Sequence, residues 1–329
     1  MSFILVADIG GTNGRFGLVE VAGMQQSKPD YTAQSQKTLK CAQYPTLADM
    51  IRDYAQQTGT ALPEYACLAI AGPIQQGRVR MTNLQWEFAI ADLQQELGMK
   101  ALDVLNDFAA LAYSMPHLGS SELHPLHAGT PDSNASLLAL GPGTGFGMAA
   151  LVPHPGGWKI APTEGGHTNF GPGTLEEVEV LKYLLTQQSR VSVENLVSGS
   201  GLVTLYKALA AVTDQQAHDY TPADVSERGL AGTDPLCRCA VDTFCGILGS
   251  VVGDKGLSTG ARGGIYLGGG IIPRLLEHLP STTFMERYLD KGPMTGYMQA
   301  IPLNAIIKDT AALIGTAAWL HDTVPALKT

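Results

Sequence analysis

Five short stretches carry residue types whose spacing could do chemistry. In V-L-N-D-F-A-A-L at 104–111, Asn106 and Asp107 interrupt an apolar run. Ala101–Leu105 before them reads as a buried strand, and Phe108–Tyr113 after them as a helix. Polar pairs at such junctions often cap the helix, so the simplest reading gives Asp107 that task. Two further stretches are glycine turns, D-I-G-G-T-N-G at 8–14 and G-P-G-T-G-F-G at 141–147, and a third glycine cluster, Gly268–Gly270, follows G-I-Y-L. Three apolar strands ending in glycine turns point to backbone N–H groups gathered on an anion, because a phosphate needs donors and close approach. In T-E-G-G-H at 163–167 the glycines permit a turn that aims Glu164 and His167 inward.

Other nucleotide and nucleophile patterns are excluded. The chain has no Gly-Lys dipeptide and so no Walker loop. Phe146 stands where a dinucleotide fingerprint needs its third glycine. Protein-kinase H-R-D and D-F-G signatures are missing. G-L-S-T-G at 256–260 fits a serine-nucleophile pattern, but it follows a helix-like stretch where the elbow requires a strand. Cys237, Cys239 and Cys245 do not share a helix face, which argues against a metal cluster. With Cys41 and Cys67 they make five scattered cysteines, expected to be reduced thiols.

The elements that must position these residues alternate in the first third. F-I-L-V-A-D (3–8) ends in the first glycine turn, and R-F-G-L-V-E-V (15–21) restarts as its hairpin partner. Thr46 with Asp49 opens a helix in capping-box style. Y-A-C-L-A-I-A-G (65–72) reads as a buried strand, 77–83 as an alternating one, and 90–97 as a helix. S-L-L-A-L-G (136–141), the second glycine turn and M-A-A-L-V (148–152) repeat the opening arrangement, which implies duplicated lobes. The second half is more helical. A capping box at Thr174 and Glu177 starts a helix expected to reach about Gln188, and Thr221-Pro222 with Asp224 starts another. A long helix covers Leu236 to about Gly253, 301–307 reads as a strand, and Asp309 is expected to cap a C-terminal helix. The stretch 116–134, rich in His, Pro, Gly and Ser, is the natural boundary.

Bulk composition limits the partners. At 329 residues two domains are expected. The chain holds 38 glycines, where average usage would give about 23. A net charge of -9 argues against nucleic acid as a partner. The N-terminal apolar run stops at Asp8, too short for a signal peptide, and no uninterrupted apolar run reaches membrane-spanning length, so a cytoplasmic protein without a membrane partner is expected.

Taken together, D-I-G-G-T-N at 8–13, G-x-G-T-G-x-G at 141–147 and G-G-G-I-x-P at 268–273 resemble the two phosphate motifs and the adenosine motif of the sugar kinase/Hsp70/actin superfamily. L-N-D-F (105–108), E-G-G-H (164–167) and V-S-x-E-x-x-x-S-G-x-G (191–201) narrow the resemblance to the bacterial glucokinases of the hexokinase type. It covers nearly the whole chain in order. Small departures are Gly14 after the Thr-Asn pair, Phe146 in the second loop and Asn169 after E-G-G-H. The resemblance implies an α/β protein with a two-lobed ribonuclease H-like (actin-like ATPase) fold, duplicated mixed sheets and a ligand cleft between lobes. It implies a small domain of 1–116 with 309–329 and a large one of 117–308.

The implied activity is ATP-dependent phosphorylation of D-glucose to glucose 6-phosphate. Alternatives are a kinase of another hexose or amino sugar, a sugar-sensing protein on the same fold, and a chaperone-like ATPase. By the same resemblance, Asn106, Asp107, Glu164, His167 and Glu194 surround the sugar, helped by Asn83, and Asp107 is the general base. Carboxylates, amides and imidazole suit that task because they accept from and donate to hydroxyls. Gly10, Gly11, Thr12, Asn13, Gly143, Thr144 and Gly145 cradle the phosphates of ATP, Gly269 and Gly270 make room for adenosine, and Asp8 carries Mg²⁺ directly or through water. A homodimer is the assembly the family suggests.

Overall fold

A computed structural model describes residues 2–81, 84 and 86–328. Asn83, expected beside the sugar, lies outside the described residues. The chain divides into two units, Met1–Glu122 with Lys308–Thr329, and Leu123–Ile307.

The first unit is built on β1 (Phe3–Ile9), β2 (Asn13–Glu20), β3 (Gln34–Lys40) and β4 (Tyr65–Ile70). A small antiparallel sheet of β5 (Ile74–Gln75), β6 (Arg78–Arg80) and β7 (Glu87–Ala89) follows, and then β8 (Ala101–Asn106). The main sheet runs β3-β2-β1-β4-β8, with β1, β4 and β8 parallel and β2 and β3 antiparallel to their neighbours. Ile4 to Ala7 and Ala66 to Ile70 are all buried, the continuous apolar run expected of strands covered on both faces. The helix Leu47–Thr58 starts on the cap foreseen at Thr46, whose side chain accepts from the Asp49 N–H.

Two helices pack closely in this unit. A Cβ added at Gly315 would stand 1.8 Å from the carbonyl oxygen of Ala110, so only glycine lets Ala311–Thr323 rest on the backbone of Asp107–Ser114. Tyr113 Oη donates to Asp322 at 2.6 Å, and Trp319 Nε1 donates to Asp103 at 2.8 Å. Asp309 is not the cap of Ala311–Thr323. The N-cap position is Thr310, with no side-chain hydrogen bond, and the Asp309 carboxylate instead pairs with Arg15 at 3.3 Å.

The second unit repeats the plan. β9 (Leu123–His127) is followed by β10 (Leu137–Pro142), β11 (Phe146–His154), β12 (Gly157–Thr163), β13 (Gly264–Leu267) and β14 (Leu303–Ile306), arranged β12-β11-β10-β13-β14-β9. The first five strands in that order match the main sheet of the first unit in connectivity and direction, with β10, β13 and β14 parallel. β9 is an added antiparallel edge inside the stretch read as a loop. The helix after Thr174 ends at Leu185, short of Gln188, and its expected capping box is half formed. Thr174 accepts from the Glu177 N–H, but the Glu177 carboxylate turns to the Gly173 N–H at 2.7 Å and to Arg287.

The long helix extends over Pro235–Thr259, beyond the expected Gly253. It starts on Asp234, which accepts from the Leu236 and Cys237 N–H groups, and ends at Gly260. Gly256–Thr259 is therefore its last turn, so G-L-S-T-G is no strand-to-helix elbow. Among the described residues this is the one helix long and apolar enough to cross a bilayer by length and composition, and 67% of its most apolar window is buried inside the protein. All five cysteines are free thiols, four of them buried.

Candidate active site

Asp8 and Asp107 occupy the carboxyl ends of parallel strands, the edge at which open α/β sheets bind ligands. Asp8 on β1 pairs in register with Ala69 on β4, and Ala69 with Leu105 on β8. Asp107 follows Leu105 by two residues, where the sheet gives way to the helix Asp107–Ser114. The cap of that helix is Asn106, not Asp107. Asn106 Oδ1 accepts from the Phe108 N–H at 3.0 Å, and Asn106 Nδ2 donates to the Gly72 carbonyl at 3.5 Å. Asp107, the first helical residue, also accepts from the Phe108 N–H, at 2.9 Å.

The Asp107 side chain keeps some open surface, yet protein surrounds it on most sides. Burial first, and the nearby Asp8 carboxylate second, push its pKa from 3.8 to about 6, while the Phe108 N–H and Asn106 oppose the rise. Burial likewise raises Asp8, and the Arg15 guanidinium opposes it. Arg15 escaped the sequence reading, although counting the hairpin register would have found it. A turn joining Ile9 to Gly14 places Asp8 directly opposite Arg15, and directly opposed residues share a sheet face.

The first glycine turn is closed by a Gly10 N–H to Asn13 carbonyl bond of 2.9 Å. Cys41 fastens it: its N–H donates to the Thr12 carbonyl at 2.9 Å, and its thiol to the Gly10 carbonyl at 3.5 Å. Gly11 is partly open, while Thr12 and Asn13 are exposed. In the second unit the Gly143 N–H donates to the Gly145 carbonyl at 2.8 Å, leaving Thr144 exposed at the tip. The Gly143 carbonyl accepts from the Gly199 N–H at 2.9 Å. That bond brings the N-terminus of Gly199–Val212, capped by Ser198, to the same loop. Helix N-termini favour anions, and Ser198 ahead of Gly199, a residue type preferred as an N-cap, is the local signal that could have found it. Gly269 and Gly270 follow β13, and the Ile271 N–H donates to the Pro142 carbonyl at 3.4 Å, which joins this turn to the second loop. A mostly apolar cavity opens beside Gly199 and Gly270, lined by Pro222, Ala223, Phe244 and Ile271 among others.

Glu164, His167 and Glu194 come together within the second unit. His167 Nε2 lies 4.0 Å from Glu164 Oε2, and Nδ1 lies 4.0 Å from Glu194 Oε1. Glu194 Oε2 accepts from the Phe146 N–H at 2.8 Å. A Cβ at Gly145 would stand 2.4 Å from that oxygen, so glycine at this point lets the loop approach the carboxylate. Glu164 and His167 are largely exposed, with side chains 80% and 58% accessible, and offer free acceptor and donor atoms to a polyol. No group of three or more His, Cys, Asp or Glu suited to holding a metal occurs among the described residues.

A family model described as Glucokinase matches residues 5–323. The chain belongs to the glucokinase family. This glucokinase-family chain is 43% identical over 318 residues to the glucokinase of Chromobacterium violaceum, covering 97% of this chain and 89% of the relative. It is similar to the crystal structure of a glucokinase from an Antarctic psychrotroph, with a TM-score of 0.89 and 38% identity over 98% of this chain and 100% of that one. It is also similar to a ROK family glucokinase from Streptomyces griseus in complex with glucose and AMPPNP, at a TM-score of 0.64 and 20% identity over 97% of this chain and 99% of that one. That second likeness bears on the fold, which is the mixed α/β, actin-like ATPase fold with two mixed sheets.

Proposed function

We propose that this glucokinase-family enzyme transfers the γ-phosphoryl group of ATP to the 6-hydroxyl of D-glucose, with Asp107 as the general base. The observation that carries the reading is the Asp107 carboxyl, raised to about 6 by burial and by Asp8. Such a group is largely ionised at neutral pH yet basic enough to take a proton as the bond to phosphorus forms. The hydroxyl proton passes to Asp107, the freed oxygen bonds to the γ-phosphorus, and ADP leaves with the bridging oxygen. The Phe108 N–H fixes the carboxylate while this happens.

Asn106, Glu164, His167 and Glu194, with Asn83, hold the sugar hydroxyls. Gly10, Gly11, Thr12 and Asn13, and Gly143, Thr144 and Gly145, supply N–H and hydroxyl donors to phosphate. The cavity beside Gly270 supports an adenosine site at Gly269 and Gly270. A hard divalent cation fits Asp8, a largely buried carboxylate at the phosphate turn whose pKa burial raises against the pull of Arg15. Mg²⁺ at Asp8 would neutralise charge on the phosphates of ATP, and positioning supplies most of the remaining rate.

An ADP-coupled assay over a panel of hexoses and amino sugars tests the reading. Glucose should give the highest kcat/KM, and its acid limb should fall at or below about pH 6, because Mg²⁺ at Asp8 would remove the second cause of the raised Asp107 pKa. A higher value for another sugar would replace glucose as the substrate. ATP hydrolysis that proceeds equally fast without any sugar would remove the kinase reading.

A further inference from the structure

The turn that carries Glu164 and His167 is held from behind by two cations that come from elsewhere in the second unit. Arg190, just ahead of the segment bearing Glu194, donates through one guanidinium nitrogen to the His167 carbonyl and through Nε to Asn169 Oδ1 at 2.7 Å. Lys255, on the long helix Pro235–Thr259, donates from Nζ to Thr168 Oγ1 at 2.7 Å. Thr168 Oγ1 in turn donates to the Gly165 carbonyl at 2.9 Å. Residues 167, 168 and 169 are thereby tied by side chains that do not belong to the turn, and Gly165 is linked to them through Thr168.

Backbone bonds fix only part of the same segment. The His167 N–H donates to the Glu164 carbonyl at 3.0 Å, and the Glu194 N–H to the Gly166 carbonyl at 2.9 Å. These bonds, with the Val193 N–H to the Thr168 carbonyl at 3.0 Å, set the height of the turn against the Glu194 segment, while Arg190 holds the His167 carbonyl and Lys255 the Thr168 hydroxyl. The arrangement around Lys255 costs energy. Burial lowers its ammonium from the usual value against the opposing pull of Asp254, and the Asp254 carboxylate itself pairs with Lys291 at 2.9 Å.

We propose that Arg190 and Lys255 are positioning residues for the sugar, acting through the backbone of His167 and the hydroxyl of Thr168 to hold Glu164 and His167 in register with Glu194. The proposal rests on the reading of those three as sugar ligands, and it assigns neither cation a contact with phosphate. Planar, forked Arg190 spans two acceptors that an ammonium cannot span, so Arg190→Lys should recover only part of what Arg190→Met loses.

The test compares Arg190→Met, Arg190→Lys and Lys255→Met with His167→Ala, alone and combined with His167→Ala. Glucose KM, ATP KM, kcat and melting temperature are measured for each. Arg190→Met should raise glucose KM by about tenfold, the scale of a hydrogen bond from a charged group, with ATP KM unmoved. Lys255→Met should act in the same direction, and Arg190→Lys should fall between. In the His167→Ala background Arg190→Met should add little further, because the group it positions has gone. If His167→Ala raises glucose KM while Arg190→Met and Lys255→Met leave it unchanged, the positioning role is overturned and the sugar-site reading stands. Equal rises in glucose KM and ATP KM that track a fall in melting temperature would reduce both cations to general scaffolding. If His167→Ala itself leaves glucose KM unchanged, the sugar-site reading fails and the positioning role goes with it.

Discussion

Replacing Asp107 by Asn should make the protein more stable while it disables the reaction. The native fold keeps a carboxylate where burial and the Asp8 charge oppose ionisation. Moving its pKa from 3.8 in the unfolded chain to about 6 in the folded one costs roughly 3 kcal/mol at pH well above 6. Asparagine has the same shape and can still accept from the Phe108 N–H without the charge. The helix cap is unaffected, because Asn106 supplies it. The shift to about 6 is already net of the favourable N–H groups at this helix start, so the gain is at most about 3 kcal/mol.

The sign with pH follows from the raised pKa. The penalty is fully present above the folded value, shrinks as pH falls through about 6, and is gone below 3.8, where both states bind the proton. Urea unfolding of the two proteins at about pH 7.5 and about pH 4.5 should show a gain at the first that largely disappears at the second. Turnover of the variant should fall by about 10²–10⁴-fold, the usual contribution of a general base. A gain equal at both pH values, or none at neutral pH, would refute the electrostatic account. Near-normal turnover would refute the catalytic role and leave Asp107 a helix-start residue.

Asp8→Asn should weaken use of Mg·ATP while leaving glucose binding in calorimetry largely intact. In the metal-free protein it should also lower the pH at which Asp107 titrates, since the Asp8 charge is one cause of the raised Asp107 pKa; a titration that stays in place would sink that coupling. In the second unit, Glu177→Ala strips the partner from Arg287, whose nitrogen lies 2.9 Å from a carboxylate only 1% exposed. Breaking a buried pair costs about 3–5 kcal/mol, so the urea midpoint should drop markedly while glucose KM at low temperature holds.

Local signals were legible in the sequence, and long-range partners were not. Apolar runs ending in glycine placed β1, β10 and β13, and the repeat of strand, turn and strand announced the duplicated topology. The junction at Asn106 and Asp107 was found but its cap was misplaced by one residue, because both types cap helices equally well. Asp309 and Glu177 look like caps to any local rule. Arg15 takes the first and Arg287 the second, and neither partner is visible from neighbouring sequence. β9 was missed because L-H-P-L-H carries proline and histidine, which a sheet accepts on an edge. Glu164 and His167 were paired by the glycines between them, Glu194 joined them by family resemblance alone, and their spacing of about 4 Å within the second unit is a product of the fold.

The dependence of Asp107–Ser114 on Ala311–Thr323 has a consequence in time. Asp322, the partner of Tyr113, is 209 residues further along the chain, and a ribosome adding about 5–20 residues per second needs roughly 10–40 seconds to reach it. Throughout that interval Ala110, on whose carbonyl Gly315 will rest, lacks the helix that will cover it. Leu123–Ile307 is a continuous segment synthesised within the same interval and can fold ahead of the unit it interrupts. The nascent chain therefore exposes one side of the helix Asp107–Ser114 until the distant helix emerges. Chaperone capture and premature proteolysis should concentrate on that stage of synthesis, and the Asp107 helix gains its final support only when Gly315 docks on Ala110.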